Sequence, residues 1–156
     1  MKMKIGTLVT SIALPLLVGG LSALLSGGGM QAFSEVQKPP LSPPGWLFPV
    51  VWTILYTLMG IASYLVKTSG ADKDEIFRAQ TVYGYQLVVN FFWSIFFFRF
   101  EWYLFSFFWL LLLWILIFVT IRKFYQISKS AAYLLIPYLV WVTFAGYLNL
   151  GIWYLN

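Results

Sequence analysis

The sequence predicts an all-α integral membrane protein, a single bundle of five transmembrane helices over residues 1–156. Hydrophobic residues make up 61% of the chain and charged residues only 10%, against ~45–50% and ~25% in soluble domains. Five apolar stretches are long enough to cross a hydrocarbon core, which takes ~20 residues per helix. The connectors between them are short, so we expect no separate soluble domain.

The predicted helices lie at residues 5–26, 46–66, 79–98, 102–121 and 131–155, with a long first loop at 27–45. The fourth stretch, WYLFSFFWLLLLWILIFVTI, is apolar on every side. Strands of a membrane β-barrel would instead alternate apolar and polar residues over ~10 positions. The pattern therefore predicts helices. Helices and closed β-barrels are the two kinds of structure able to span a bilayer.

The first helix carries small residues at four-residue spacing, Gly19 with Ala23 and Ser22 with Ser26. Such pairs allow two helices to approach closely in lipid. They indicate either close packing inside the bundle or the contact surface of a homodimer. Packing is favoured, because glycine is common in membrane helices in any case.

The first loop contains KPPLSPPGW, residues 38–46, between two long apolar stretches. Proline fixes its own φ and restricts the residue before it, so this segment is predicted to be extended and rigid. A rigid segment has little conformational entropy left to lose when a ligand binds. We therefore predict that it is the lid of a ligand pocket, with lid residues Lys38, Pro39, Pro40, Pro43 and Pro44.

Polar and aromatic side chains recur every three or four residues on three predicted helices, which places them on one face of each. They are Trp52, Tyr56, Gly60 and Ser63 in the second helix, Gln86, Asn90, Trp93 and Ser94 in the third, and Tyr138, Trp141, Ala145 and Asn149 in the fifth. A polar group inside a membrane needs a partner or a function. These faces either join the helices through hydrogen bonds or line a pocket for a hydrophobic small molecule.

The basic residues indicate an orientation in the membrane, and we do not expect nucleic-acid binding. Of the ten Lys and Arg residues, only Lys38 and Arg99 fall on the far side of the membrane from the N-terminus in a five-helix alternation. Cytoplasmic loops carry the excess of basic residues, so the N-terminus is predicted to be cytoplasmic. The proline loop and the C-terminus then lie outside, in what we expect to be a bacterial inner membrane.

Cysteine and histidine are absent from the sequence, and acidic residues and lysines lie outside the central part of every predicted helix. Thiolate nucleophiles, imidazole bases and Cys/His metal sites are therefore not expected. A proton-relay chain of the kind found in pumps is not expected either. The sequence predicts no metal site and no required cofactor.

The order of the motifs along the whole chain resembles the TspO/MBR family of translocator and tryptophan-rich sensory proteins. Four stretches carry the resemblance: QKPPLSPPGW, VVWTILYTLMGIASYL, YGYQLVVNFFWSIFFF and PYLVWVTFAGYLNLGIW. The family pattern is KPxWxPP, and this chain departs from it at Leu41, where the family has tryptophan.

The resemblance implies a five-helix bundle, commonly dimeric, with a pocket between the helices beneath the first loop. The ligands implied are protoporphyrin IX, heme, and molecules of the benzodiazepine or isoquinoline type. It also implies pocket walls built from Trp52, Asn90, Trp93, Trp141, Ala145 and Leu148. Together with the polar and aromatic faces, the predicted ligand-binding residues are Trp46, Phe48, Trp52, Tyr56, Gln86, Asn90, Trp93, Tyr138, Trp141, Ala145 and Leu148.

The resemblance leaves two classes of function open. One is a receptor or sensor that binds tetrapyrroles. The other is an enzyme or transporter acting on them, since some bacterial relatives promote light-dependent porphyrin breakdown, which would make Trp52 and Trp141 the candidate catalytic residues. The lack of histidine, cysteine and a buried acid favours the receptor.

Overall fold

Helices form most of the chain in the computed structural model, which describes residues 3–27 and 33–156. They are α1 (Ile5–Leu25), α2 (Leu47–Lys67), α3 (Lys73–Ser94), α4 (Tyr103–Ile127), α5 (Lys129–Leu134) and α6 (Ile136–Leu155). A π-helical turn, Ile95–Arg99, continues α3. Part of the predicted lid loop, residues 28–32, lies outside the described residues.

Five spans are long and apolar enough to cross a membrane, with α5 and α6 together forming the fifth. Large apolar side chains are exposed along them, among them Val9, Leu24 and Ile115. In a soluble protein this surface would be costly, whereas in a bilayer the hydrocarbon covers it. The predicted class, an all-α integral membrane protein with a bundle of five transmembrane helices, is confirmed.

The spans form a closed ring in which each packs mainly against two neighbours, and α2 also contacts α3 across it. α1 packs on α2, and α2 packs in turn on α5. The fifth span packs on α4, α4 on α3, and α3 returns to α1. Met59, Ile117, Phe124 and Ile152 are fully buried in the middle of this ring. The ring brings α1, α2 and the end of α3 together, and the cavity described below lies between them.

Two helix boundaries in the structure differ from the approximate ones that the sequence suggests. α3 begins at Lys73 instead of residue 79, and α4 continues to Ile127 instead of residue 121. The apolar pattern marks only the part of a helix that meets hydrocarbon, whereas the backbone stays helical through the charged residues beyond it. Asp74 and Glu75 lie in the first turn of α3, where carboxylates interact favourably with the positive end of the helix.

The predicted fifth helix at 131–155 is two helices in the structure, broken at Leu135. Pro137 lies in the first turn of α6, a position where its missing N–H costs no helical hydrogen bond. Ser128 precedes α5, and its Oγ accepts a hydrogen bond from the Ala131 N–H at 3.3 Å. A capping serine and a proline in the first turn thus account for both helix starts.

The π-helical turn at the end of α3 contacts the end of α1. This contact lies at the end of the bundle near the proline segment, residues 38–44. Arg99 lies in this turn, and its Nη1 donates a hydrogen bond to the Leu25 carbonyl at 2.9 Å. That carbonyl belongs to the last turn of α1, where carbonyls have no helical partner. The contact therefore joins the C-terminal ends of α1 and α3, which frame one end of the cavity.

Candidate functional site

A cavity of about 280 Å³ lies between α1, α2 and the end of α3, at the end of the bundle that carries the proline segment. Pockets for small molecules usually measure ~300–1,000 Å³, so this cavity is at the lower limit. Its lining is Leu16, Gly19, Gly20, Ala23, Ser26 and Gly27 from α1 and its end, Phe48, Pro49, Trp52, Thr53 and Tyr56 from α2, and Ser94 and Phe98 from α3 and the π-helical turn.

The two main walls of the cavity differ in chemistry. The α1 wall consists mostly of glycine, alanine and serine, and its backbone comes so close to α2 that a Cβ at Gly19 would overlap the Tyr56 ring. The α2 wall is aromatic: the ring of Trp52 stacks on that of Tyr56 with centroids 5.5 Å apart and an interplanar angle of 29°. A smooth wall facing stacked rings makes a narrow slot, which suits a flat aromatic molecule.

A buried hydrogen-bond network lies behind the aromatic wall and connects α2, α3 and α6. The Tyr56 hydroxyl donates to Asn90 Oδ1 at 2.7 Å, and Asn90 Nδ2 donates to the Tyr138 hydroxyl at 2.6 Å. The Tyr138 hydroxyl donates in turn to Gln86 Oε1 at 2.7 Å. These four predicted site residues satisfy one another, and only Tyr56 also borders the cavity.

Replacing Tyr138 by phenylalanine is expected to lower the free energy of unfolding by about 1–2 kcal/mol. The change removes the hydroxyl alone, and leaves Asn90 Nδ2 and Gln86 Oε1 buried without their partner. The measurement is the midpoint of unfolding in a denaturing detergent. Tyr133→Phe is the matched control, because Tyr133 is exposed on α5. Equal midpoints for the two variants would show that the network adds no stability.

The other predicted pocket residues on α3 and α6 pack into the core of the bundle. Trp93 is buried, and its Nε1 donates to Asn149 Oδ1 at 3.1 Å. Ala145 and Leu148 are also buried. These residues are not in the lining of the cavity, and their role as pocket walls stays a prediction.

Three predicted aromatic residues surround the start of α2. Phe48 borders the cavity and packs edge-on against Trp141 with centroids 5.8 Å apart. Trp141 is half-buried outside the cavity, and its buried Nε1 has no hydrogen-bond partner in the part of the chain that the structure describes. Trp46 is 68% exposed. The structure therefore brings Phe48, Trp52 and Tyr56 of the predicted set to the cavity.

The part of the first loop from Gln37 to Pro40 is hydrogen-bonded to α6 and to Asn156, which follows it. The Gln37 N–H donates to Asn156 Oδ1 at 3.2 Å, and Asn156 Nδ2 donates back to the Gln37 carbonyl at 2.8 Å. The Tyr147 hydroxyl donates to the Pro40 carbonyl at 2.6 Å. These three bonds hold the loop across the end of the bundle.

Close packing adds to this attachment. Pro39 is buried, and a Cβ at Gly151 would lie 2.6 Å from its Cγ. Leu41 follows with φ of 71° and an 84% exposed side chain, a left-handed conformation that is uncommon for leucine. The Ser42 Oγ donates to the Pro39 carbonyl at 2.7 Å. The chain thus turns sharply just after the part held by α6.

The remaining predicted lid residues lie on either side of that turn. Lys38 Nζ lies 4.9 Å from the centre of the Phe33 ring and donates to the Val36 carbonyl at 3.1 Å. The Pro44 carbonyl accepts a hydrogen bond from the Leu47 N–H at 3.0 Å, and Pro43 is half-buried. Within the described chain, the five predicted lid residues do not border the cavity, and their role as a lid stays a prediction.

The sequence-based set lacks the whole α1 wall. A signal for it exists, because Gly19, Ala23 and Ser26 belong to the small-residue pairs of the first helix. That pattern indicates close approach of helices, and it is also the pattern of a smooth cavity wall. Ser94 is on the predicted polar face of the third helix, and it does border the cavity.

The fold and the site define the class of this protein: it is a helical membrane protein with five spans and an aromatic-walled cavity at one end of the bundle. The profile of the TspO/MBR family matches residues 11–155. The chain belongs to the TspO/MBR family, as its motifs predict. Membership supports a role as a membrane receptor or sensor.

Individual relatives agree with this assignment over most of their length. The chain is 43% identical over 124 residues to the tryptophan-rich protein TspO of Chlorobaculum tepidum, covering 80% of this chain and 78% of that protein. It is 38% identical over 155 residues to the tryptophan-rich protein TspO of Archaeoglobus fulgidus, covering 99% of both. The translocator protein of Bos taurus is 37% identical over 145 residues, covering 90% of this chain and 84% of that protein.

Proposed function

We propose that the protein is a membrane receptor or sensor that binds tetrapyrroles, such as protoporphyrin IX and heme, and flat ligands of the benzodiazepine or isoquinoline type. The observation that carries the proposal is the slot between the α1 wall and the stacked rings of Trp52 and Tyr56. A tetrapyrrole is flat, aromatic and largely apolar, and it would lie against Trp52 by stacking.

The cavity as described is small for a tetrapyrrole, so binding requires its walls to separate. We expect the α1 wall to be the one that moves, because α1 is the least buried of the five spans, with 17% of its most apolar part buried. Ser26, Thr53 and Ser94 border the slot. The hydroxyls of Ser26 and Thr53 donate to the carbonyls of Ser22 and Pro49, so they would serve the polar edge of a ligand as hydrogen-bond acceptors. Recognition would then rest on shape and stacking, and metal-free protoporphyrin would bind about as well as heme.

Filling the slot tests the proposal. Gly20 borders the cavity, and a Cβ there would meet no atom within 4 Å. Gly20→Leu is therefore expected to fold normally and to weaken protoporphyrin IX binding about tenfold, or ~1.4 kcal/mol. Affinity is measured in detergent from the porphyrin absorbance band.

Gly6→Leu is the matched control, because Gly6 lies on the same helix away from the cavity and also has free space around it. Equal affinity in both variants would place the ligand elsewhere, and no binding to the unaltered protein would overturn the proposal. Titrations in darkness and under illumination separate binding from light-dependent breakdown, which would give a new product in multiple turnovers.

A further inference from the structure

We infer that the cavity is entered sideways, from the hydrocarbon interior of the bilayer, through an opening between α1 and α2. The ligand would then be a flat aromatic molecule already dissolved in the membrane. The identity of the ligand rests on the proposed function, whereas the evidence for the opening is the geometry of the two helices.

The cavity lining divides into a buried part and an exposed rim. Phe48 and Tyr56 are buried, while Gly20 and Ala23 on α1 and Thr53 on α2 are exposed. The rim lies on the outer surface of the bundle, because its neighbours on the same helices face outward. Leu17 and Leu21 on α1 are 63% and 53% exposed, and Val50 and Ile54 on α2 are 48% and 54% exposed.

The opening lies below the ends of the helices. Gly20 is five residues from the end of α1 at Leu25, and Thr53 is six residues from the start of α2 at Leu47. With a rise of ~1.5 Å per residue, these positions are about 7–9 Å inside the helices. At that depth, an opening in the outward face of two apolar spans meets lipid chains before it meets water.

Small side chains keep the opening clear. Glycine at position 20 leaves free space where a Cβ would project, and alanine occupies position 23 on the next turn. Bulky residues at either position would narrow the gap between the two helices. No side chain at these two positions blocks the rim, so the edge of a flat molecule would reach the gap before the walls separate further.

The alternative route, from water beneath the proline segment, is obstructed where the chain meets the fifth span. Gln37 and Pro40 are held by three hydrogen bonds to Asn156 and Tyr147, and Pro39 packs against Gly151. A ligand arriving on that side would break these contacts, whereas one arriving between α1 and α2 breaks none of them.

Thiol labelling of the protein in lipid vesicles tests the opening without any porphyrin. The chain has no cysteine, so Ser94→Cys places a single thiol on the inner side of the cavity. The labelling rate of this thiol is measured with a hydrophobic maleimide and with a charged, membrane-impermeant maleimide. Each rate is divided by the rate at which the same reagent labels the unfolded protein, and the two ratios are compared. The control is Ser106→Cys, because Ser106 is fully buried away from the cavity.

We expect the Ser94→Cys thiol to react at least tenfold faster with the hydrophobic reagent, and the Ser106→Cys thiol to react with neither. Adding Gly20→Leu to Ser94→Cys should slow the hydrophobic reaction about tenfold, and adding Asn156→Ala should leave it unchanged. Fast labelling by the charged reagent that rises further with Asn156→Ala would overturn the inference in favour of a route beneath the proline segment. A Ser94→Cys variant that reacts with neither reagent would show that the opening does not exist. Because porphyrin is absent, these outcomes are independent of the binding titration.

Discussion

Replacing Gly60 by alanine is expected to lower the free energy of unfolding by about 3 kcal/mol. Gly60 is the point where α2 crosses α1. A Cβ at this position would overlap the backbone of Ile12 and lie 2.6 Å from the Ser11 carbonyl oxygen. A flexible side chain could move aside, but these are backbone atoms, so the whole of α1 would have to shift. Gly60→Val should be more disruptive still.

The measurement is the denaturing-detergent midpoint of each variant, together with its protoporphyrin affinity. α1 is one wall of the cavity, so both quantities should fall together in Gly60→Ala. Gly84→Ala on α3 is the matched control: its Cβ would meet nothing within 4 Å, and alanine favours a helix over glycine by ~1 kcal/mol. If Gly60→Ala were as stable as Gly84→Ala, the close crossing of α1 and α2 would be refuted.

Replacing Trp52 by alanine is expected to weaken protoporphyrin IX binding about 30- to 100-fold, or ~2–2.7 kcal/mol. The indole borders the cavity, stacks on Tyr56 and meets the edge of Tyr138 with centroids 6.1 Å apart. Its removal takes away the surface on which a flat ligand would lie. Trp52→Phe should recover part of the affinity, because a smaller aromatic surface remains.

Two further substitutions make the measurement specific. Trp114→Ala removes a tryptophan that stacks on Phe118 and bonds to Thr143 away from the cavity, and it should leave the affinity unchanged. Trp141→Ala should cost less than Trp52→Ala, because Trp141 packs against the lining residue Phe48 and is not itself in the cavity lining. An equal or larger loss at Trp141 would place the ligand among α2, α3 and α6, as the family resemblance implies.

The number and order of the membrane-spanning segments, and their helical type, could be predicted because hydropathy and length respond directly to the bilayer. The start of α3 at Lys73 could not be predicted, because the first turns of this helix are polar and lie beyond the apolar stretch. The break at Leu135 was also missed. Pro137 marks it in the sequence, but Pro15 lies inside α1 without ending that helix, so proline alone does not decide the outcome.

The candidate site could also be predicted only in part. Periodicity placed Tyr56, Asn90 and Tyr138 on facing helices, and the structure joins them by hydrogen bonds. Periodicity does not tell whether such residues face one another or a ligand, because both arrangements need the same spacing. The α1 wall was missed for a related reason: Gly19 packs against Tyr56, while Gly20 beside it borders open space, and both are glycines.

The position of α1 has a consequence for stability. This helix is the least buried of the five spans, with 17% of its most apolar part buried against 33–44% for the others, and it forms one whole side of the cavity. A molecule held between α1 and α2 touches both, so it adds contact area to the span that the bundle buries least. By thermodynamic linkage, a ligand at 100 times its dissociation constant would stabilise the docked helix by ~2.7 kcal/mol. Occupancy of the slot and attachment of α1 would then be a single coupled equilibrium.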